Sequence, residues 1–223
     1  MRLLLLFCTL TAAALGAAPP VLETALRHFR TEGPAGWSFI QTSTAGNENL
    51  VEKFDATKPE FERWSLLKKN GRPPTPDEER DYREKQTRRS RGGTAPRITE
   101  SLDLATVELV SETADQLIYR CRLKKGEAGD KTAEFLRATL TVHKPTQAIE
   151  TFELASTGPF SPTLAVKIAE MKTIMTFSRA TPERPNLLLE VTTRLRGRAF
   201  WFKTLDQDLT VICSDHTKAS SKR

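Results

Sequence analysis

The residue types that most often do chemistry are thinly spread here. His28, His143 and His216 stand too far apart for any two to share a metal ion at the short spacings such sites use. The three cysteines, Cys8, Cys121 and Cys213, form no Cys-X-X-Cys. Ser43, Ser156 and Ser161 fall in strand or turn sequences without the Gly-X-Ser-X-Gly elbow that exposes a nucleophile. No phosphate-cradling glycine loop is present, and Gly92-Gly93 reads as a helix stop. The acidic run Asp77-Glu78-Glu79 opens a helix, where the positive dipole end accounts for it. These residues point away from catalysis, and no metal or cofactor is expected.

Apolar side chains offer a different chemistry, the shelter of a greasy ligand. Trp37, Phe39, Phe54, Trp64, Leu66, Tyr119, Leu140, Met175, Phe177 and Phe202 are the candidate lining of a hydrophobic groove. The same residues would also serve as the packed core of any β protein of this size. Met171 and Met175 add adaptable, polarisable surface of the kind that tolerates varied apolar ligands. Trp37-Ser38-Phe39 and Trp64-Ser65-Leu66 lie on neighbouring early strands and should meet at one end of such a groove. Cys121 and Cys213 occupy apolar positions of alternating strands, which suits either a disulfide or two buried thiols.

Positioning these groups requires sheet. After Pro19-Pro20, the residues Val21, Leu22, Ala25, Leu26 and Phe29 share one face of a short helix, which Gly33-Pro34 should end. From Gly36 the apolar period becomes two: Trp37/Phe39, Leu50/Glu52/Phe54 and Trp64/Leu66. A second helix begins at Thr75-Pro76, with Thr75 and Glu78 spaced as a capping box and arginines toward its end. Strands then follow one another. Leu117 to Leu123 and Leu136 to Val142 alternate cleanly, and Phe152/Leu154, Leu164/Val166/Ile168, Met175/Phe177, Leu187 to Leu195, Phe200/Phe202 and Leu209 to Cys213 continue the series.

Two helices cannot supply the crossovers of a parallel sheet. The expected fold is therefore α+β: a single antiparallel, strongly curved sheet of about ten strands, a half-barrel. The N-terminal helix and the inserted helix cover its concave face.

Composition and charge set the context. The 223 residues include 11 glycines and 13 prolines, and 38% are apolar, as in ordinary globular chains. Met1-Arg2, the apolar run from Leu3 to Leu15 and the small residues to Ala18 form a secretory signal, too short to span a bilayer. Residues 1–18 are accordingly read as the signal peptide, 19–216 as the domain and 217–223 as a flexible basic tail. The formal charge is +6. Arg80, Arg83, Arg88, Arg89 and Arg91 concentrate positive charge on the second helix, a face that could meet an anionic membrane surface or simply be solvated. Export argues against nucleic acid as a partner, and a periplasmic monomer is expected.

The order of signal peptide, amphipathic helix and strand meander broken by one helix resembles the LolA-like superfamily of periplasmic lipoprotein carriers. So does the stretch from Phe61-Glu62-Arg63-Trp64-Ser65-Leu66-Leu67 to Asn70-Gly71-Arg72-Pro73-Pro74-Thr75-Pro76. The resemblance implies an unclosed barrel with helices as a lid over a hydrophobic cavity, binding a lipid or lipoprotein acyl chain. The alternative function is a structural or adaptor module of the cell envelope with a packed core and no ligand.

Overall fold

The computed structural model describes residues 18–29, 36–91, 98–125, 132–200 and 202–219. The expected signal peptide up to Ala17 therefore lies outside the described residues, as do the end of the tail from residue 220 and Gly33-Pro34. Helix α1 (Pro20–His28) is followed by β1 (Trp37–Ala45), β2 (Glu48–Phe54) and β3 (Trp64–Lys69), then by helix α2 (Pro76–Arg91). The chain continues through β4 (Leu102–Glu112), β5 (Gln116–Leu123), β6 (Leu136–His143), β7 (Ala148–Ser156), β8 (Phe160–Thr163) and β9 (Val166–Phe177). It closes with β10 (Leu188–Ala199), β11 (Lys203–Thr204) and β12 (Gln207–Lys218).

All twelve strands form one antiparallel sheet, ordered β3-β2-β1-β12-β10-β9-β7-β6-β5-β4, with β8 and β11 as short spurs on β9 and β10. The two ends never pair, so the sheet is an open, curved half-barrel, as expected from the sequence.

Directly paired residues of antiparallel strands point to the same side of a sheet. The registers thus trace one inward row from Tyr119 through Leu140, Phe152, Met175, Val191 and Val211 to Ser43. Helix α1 lays Leu22 and Ala25, and the residue after it, Phe29, on this row over β5–β7, forming the main core with Tyr119, Leu140 and Phe152. Phe29 lies 5.8 Å from Phe152 and 5.1 Å from Phe177, ring centre to ring centre. A second cluster, Leu136, Phe160 and Ile168, fills the end of the sheet near β8.

Helix α2 docks at the opposite end, against β3 and the turn Glu60–Glu62. Its start is the expected capping box. The Glu78 N–H donates to Thr75 Oγ1 at 3.3 Å, and the Thr75 N–H donates to Glu78 Oε2 at 2.9 Å. Arg72 grips the same carboxylate with two bonds of 2.9 Å, which, with the Thr75 N–H, holds Glu78 down at about 2. Most of the helix is solvated, and Tyr82 is its buried anchor.

Several expectations change. Helix α1 ends at His28, because Phe29 turns extended well before Gly33. Val166 to Phe177 is one continuous twelve-residue strand rather than two. Phe200 and Phe202 are not a strand: Phe200 adopts φ 49° in the turn after β10. Strand β12 reaches Lys218, paired with Trp37, so Thr217 and Lys218 belong to the sheet and not to a tail.

The disulfide option is corrected as well. Cys121 in β5 and Cys213 in β12 are both free and buried. Five strand spacings of about 4.8 Å separate them along the ribbon, beyond the reach of an S–S bond. Burial pushes both thiols up to about 11. Folding thus favours the protonated form, and that contribution is complete below the ordinary thiol value and is lost as pH rises through about 11. We expect a chromogenic thiol reagent at about pH 8 to leave both cysteines unmodified until denaturant is added. Immediate reaction of the native protein would contradict their burial.

Candidate functional site

Most of the expected groove residues converge on the concave face, which divides into three zones. Under α1, Tyr119, Leu140 and Phe177 are buried in the core, filling space rather than lining a free surface. At the far end Phe39, Phe54 and Trp64 form an aromatic cluster. Phe39–Phe54 and Phe54–Trp64 are 5.1 Å apart between centres, and Phe39–Trp64 is 5.7 Å in a T-shaped arrangement. This is the predicted meeting of the two early aromatic strands. Leu66 sits beside it, opposite Glu52, and Trp37 is half-buried at the start of β1. His216 from β12 lies 5.7 Å from Phe39, and burial holds it below its ordinary value.

Between these zones the inward positions are half-buried and mostly apolar: Met171 and Met175 of β9, Val191 and Leu195 of β10, Leu209 and Val211 of β12, with the Thr173 and Thr193 hydroxyls bonded to each other at 3.1 Å among them. Neither helix fills this strip, since α1 packs on β7 and α2 on β3. Of the expected lining, Met175 borders this strip, half-buried and packed against the edge of the main core. Val191 and Val211 were missed, although their alternation within Leu187–Leu195 and Leu209–Cys213 marks them as inward.

One buried carboxylate sits on this face, next to the polar Gln41 and Ser43 of β1. Glu52 is only 5% exposed, yet no arginine or lysine pairs with it among the described residues. Its carboxylate accepts the Tyr82 hydroxyl at 2.7 Å and Gln41 Nε2 at 3.0 Å. These bonds replace lost hydration and tie α2 to β2 and β1. The signal was present in the sequence: Glu52 takes the apolar parity between Leu50 and Phe54.

Phe202 stands apart from every other candidate, 85% exposed beyond β10, and is corrected from groove to surface. On α2, Arg80 bonds Asp77 at 2.9 Å and Arg88 lies 3.6 Å from Glu84, so part of the basic face is balanced locally. Arg83 is exposed, and the side chains of Arg89 and Arg91 lie outside the described residues. A cleft of about 290 Å³ opens on the convex side, where Glu170, Lys172, Arg194 and Asp208 line it. Its mixed charges, with Arg196 bidentate on Asp208 at 2.7 and 2.8 Å, suit water rather than an apolar chain. No cluster of His, Cys, Asp and Glu able to hold a metal occurs among the described residues. No helix among them is long and apolar enough to cross a membrane.

No family model matches the sequence, and no curated protein does. Among solved structures, the chain is similar to a Vibrio parahaemolyticus domain that carries the name of an outer membrane lipoprotein-sorting protein. The alignment covers 91% of this chain and 92% of that one, at 7% identity and a TM-score of 0.39. At that degree of similarity the likeness decides neither ligand nor activity.

Proposed function

We propose that this is an exported, non-catalytic protein that shelters the acyl chain of a lipid or lipoprotein on its concave face. It acts as a monomer in the periplasm, in envelope lipid or lipoprotein trafficking. The observation that carries this reading is the half-buried apolar strip of Met175, Val191 and Val211, which lies between α1, packed on β7, and α2, packed on β3. From Met175 to Leu50 the row crosses four strand spacings, about 19 Å, with Ser43 as its one polar member. Each buried CH₂ contributes ~0.8 kcal/mol, so a chain lying along the strip gains affinity without any polar anchor. A longer ligand would displace α1 contacts in favour of its own contacts with the sheet.

The test is organic extraction of the purified, processed protein followed by mass spectrometry of the extract. Stoichiometric lipid is expected. Val191→Trp, which fills the middle of the strip, should cut lipid retention by about tenfold, the equivalent of two displaced CH₂ groups. The wild-type circular dichroism should be preserved. A lipid-free extract together with failure to take up a fluorescent fatty acid would overturn the proposal and favour a packed envelope adaptor.

A further inference from the structure

Three large apolar side chains, two of them the most exposed in the described protein, gather at one extremity. Leu164 is fully exposed in the turn between β8 and β9, while Phe200 and Phe202 are 60% and 85% exposed in the turn between β10 and β11. The two turns are one structural unit. The Phe200 N–H donates to the Ala165 carbonyl at 2.7 Å, and the Leu205 N–H donates to the Gly197 carbonyl at 2.9 Å. Asp206 Oδ1 accepts the Gly197 N–H at 3.2 Å. A side chain at Gly197 would put its Cβ 2.7 Å from the Lys167 carbonyl oxygen, so the glycine permits β9 and β10 to approach closely at the base of the tip. Phe200 itself holds a left-handed conformation, φ 49°, which a bulky residue rarely adopts and which turns the chain back at that point. Folding does not explain the exposure of these side chains, because the second core of Leu136, Phe160 and Ile168 is complete beneath them.

Charge identifies the partner. Arg198 pairs in register with Lys167, and Lys203 pairs with Ala199, so three exposed cations surround the apolar tip. None of the three forms an ion pair among the described residues. The acidic neighbours are Asp206, engaged with the Gly197 N–H, and the exposed Glu170 one pair further along. Aromatic and aliphatic side chains projecting from a convex tip, ringed by long cationic side chains, match the boundary between acyl chains and anionic headgroups. A protein partner would call for a broader complementary face than two linked turns provide.

We infer that the paired turns around Leu164, Phe200 and Phe202 are a membrane-contact tip that inserts shallowly into an anionic lipid surface. This site is separate from the α2 arginines and from the acyl strip, and it operates whether or not the strip is occupied. Binding of the processed protein to vesicles should be followed by sedimentation, comparing phosphatidylcholine alone with phosphatidylcholine containing phosphatidylglycerol. The wild type should bind the anionic vesicles, less at high salt, and should bind neutral vesicles weakly. Leu164→Ser with Phe202→Ser should lower partitioning by about tenfold, and Lys167→Ser with Lys203→Ser should lower it only on anionic vesicles. These surface changes should leave circular dichroism and extractable lipid unaltered, which separates this outcome from failure of the carrier reading. The inference is overturned if wild type ignores anionic vesicles, or if the tip variants bind as well as wild type. Loss of binding in Arg83→Ser with Arg88→Ser while the tip variants still bind would also overturn it. So would a wild-type dimer that the tip variants convert to monomer.

Discussion

Phe152→Ala should remove about 3–5 kcal/mol of stability, a large part of what a domain of this size possesses. Phe152 has no exposed surface and sits where sheet and helix meet. It is paired with Leu140 on β6 and with Met175 on β9, and the ring of Phe29, just after α1, stacks on it. Truncation would leave a void walled by ladder-bonded strands on one side and a short helix on the other. The strands cannot collapse into it without breaking their register, and relaxation would have to come from α1. Phe152→Leu should therefore cost much less than Phe152→Ala. Chemical denaturation followed by fluorescence measures both; a loss below about 1 kcal/mol for the alanine variant would show that the core is not organised around this ring.

Leu22→Ala should cost about 2–5 kcal/mol, and the form of the loss is as informative as its size. Leu22 is fully buried and, with Ala25, is one of two buried positions in a nine-residue helix too short to be stable by itself. If α1 is an integral wall of the core, the midpoint falls with an unchanged denaturant slope. If α1 detaches first, the slope falls too, because the variant already exposes the surface beneath it. Because Phe29 touches both Phe152 and Phe177, Phe29→Ala combined with Phe152→Ala should lose less than the sum of the two single changes.

Much of this architecture was legible in the sequence because the dry face of a sheet writes itself as a period of two. Leu117–Leu123 and Leu136–Val142 pair as adjacent strands β5 and β6 with their apolar positions in register. The α2 start was equally plain, since a capping box is a local event set by four consecutive residues. Strand β4 escaped notice for an opposite reason. Its pairing with β5 slips between Asp103 and Glu108 and again between Leu109 and Ser111, so Leu102, Leu104, Val107 and Leu109 follow no single period. Phe200 and Phe202 alternate as a strand would, but a positive φ at Phe200 directs them outward. The candidate site was half legible. Pairing of β1 with β2 and of β2 with β3 gathers Phe39, Phe54 and Trp64 as their spacing suggested. The contribution of Val191 and Val211 depends on β12 inserting between β1 and β10, a long-range contact that local pattern does not encode. Tyr119 and Leu140 have the same local signature as Met175. Only the placement of α1 separates filled interior from open floor.

The unpaired ends of the sheet have a mechanical consequence. A closed barrel has its girth fixed by strand number and stagger, so a wider guest must break something. Here β3 and β4 lie at opposite ends of the ribbon and share no ladder. Small rotations at the successive junctions can flatten or tighten the whole trough while every backbone bond stays intact. Compliance is then a property of the ribbon as a whole, and guests of unequal thickness could be gripped without any dedicated hinge.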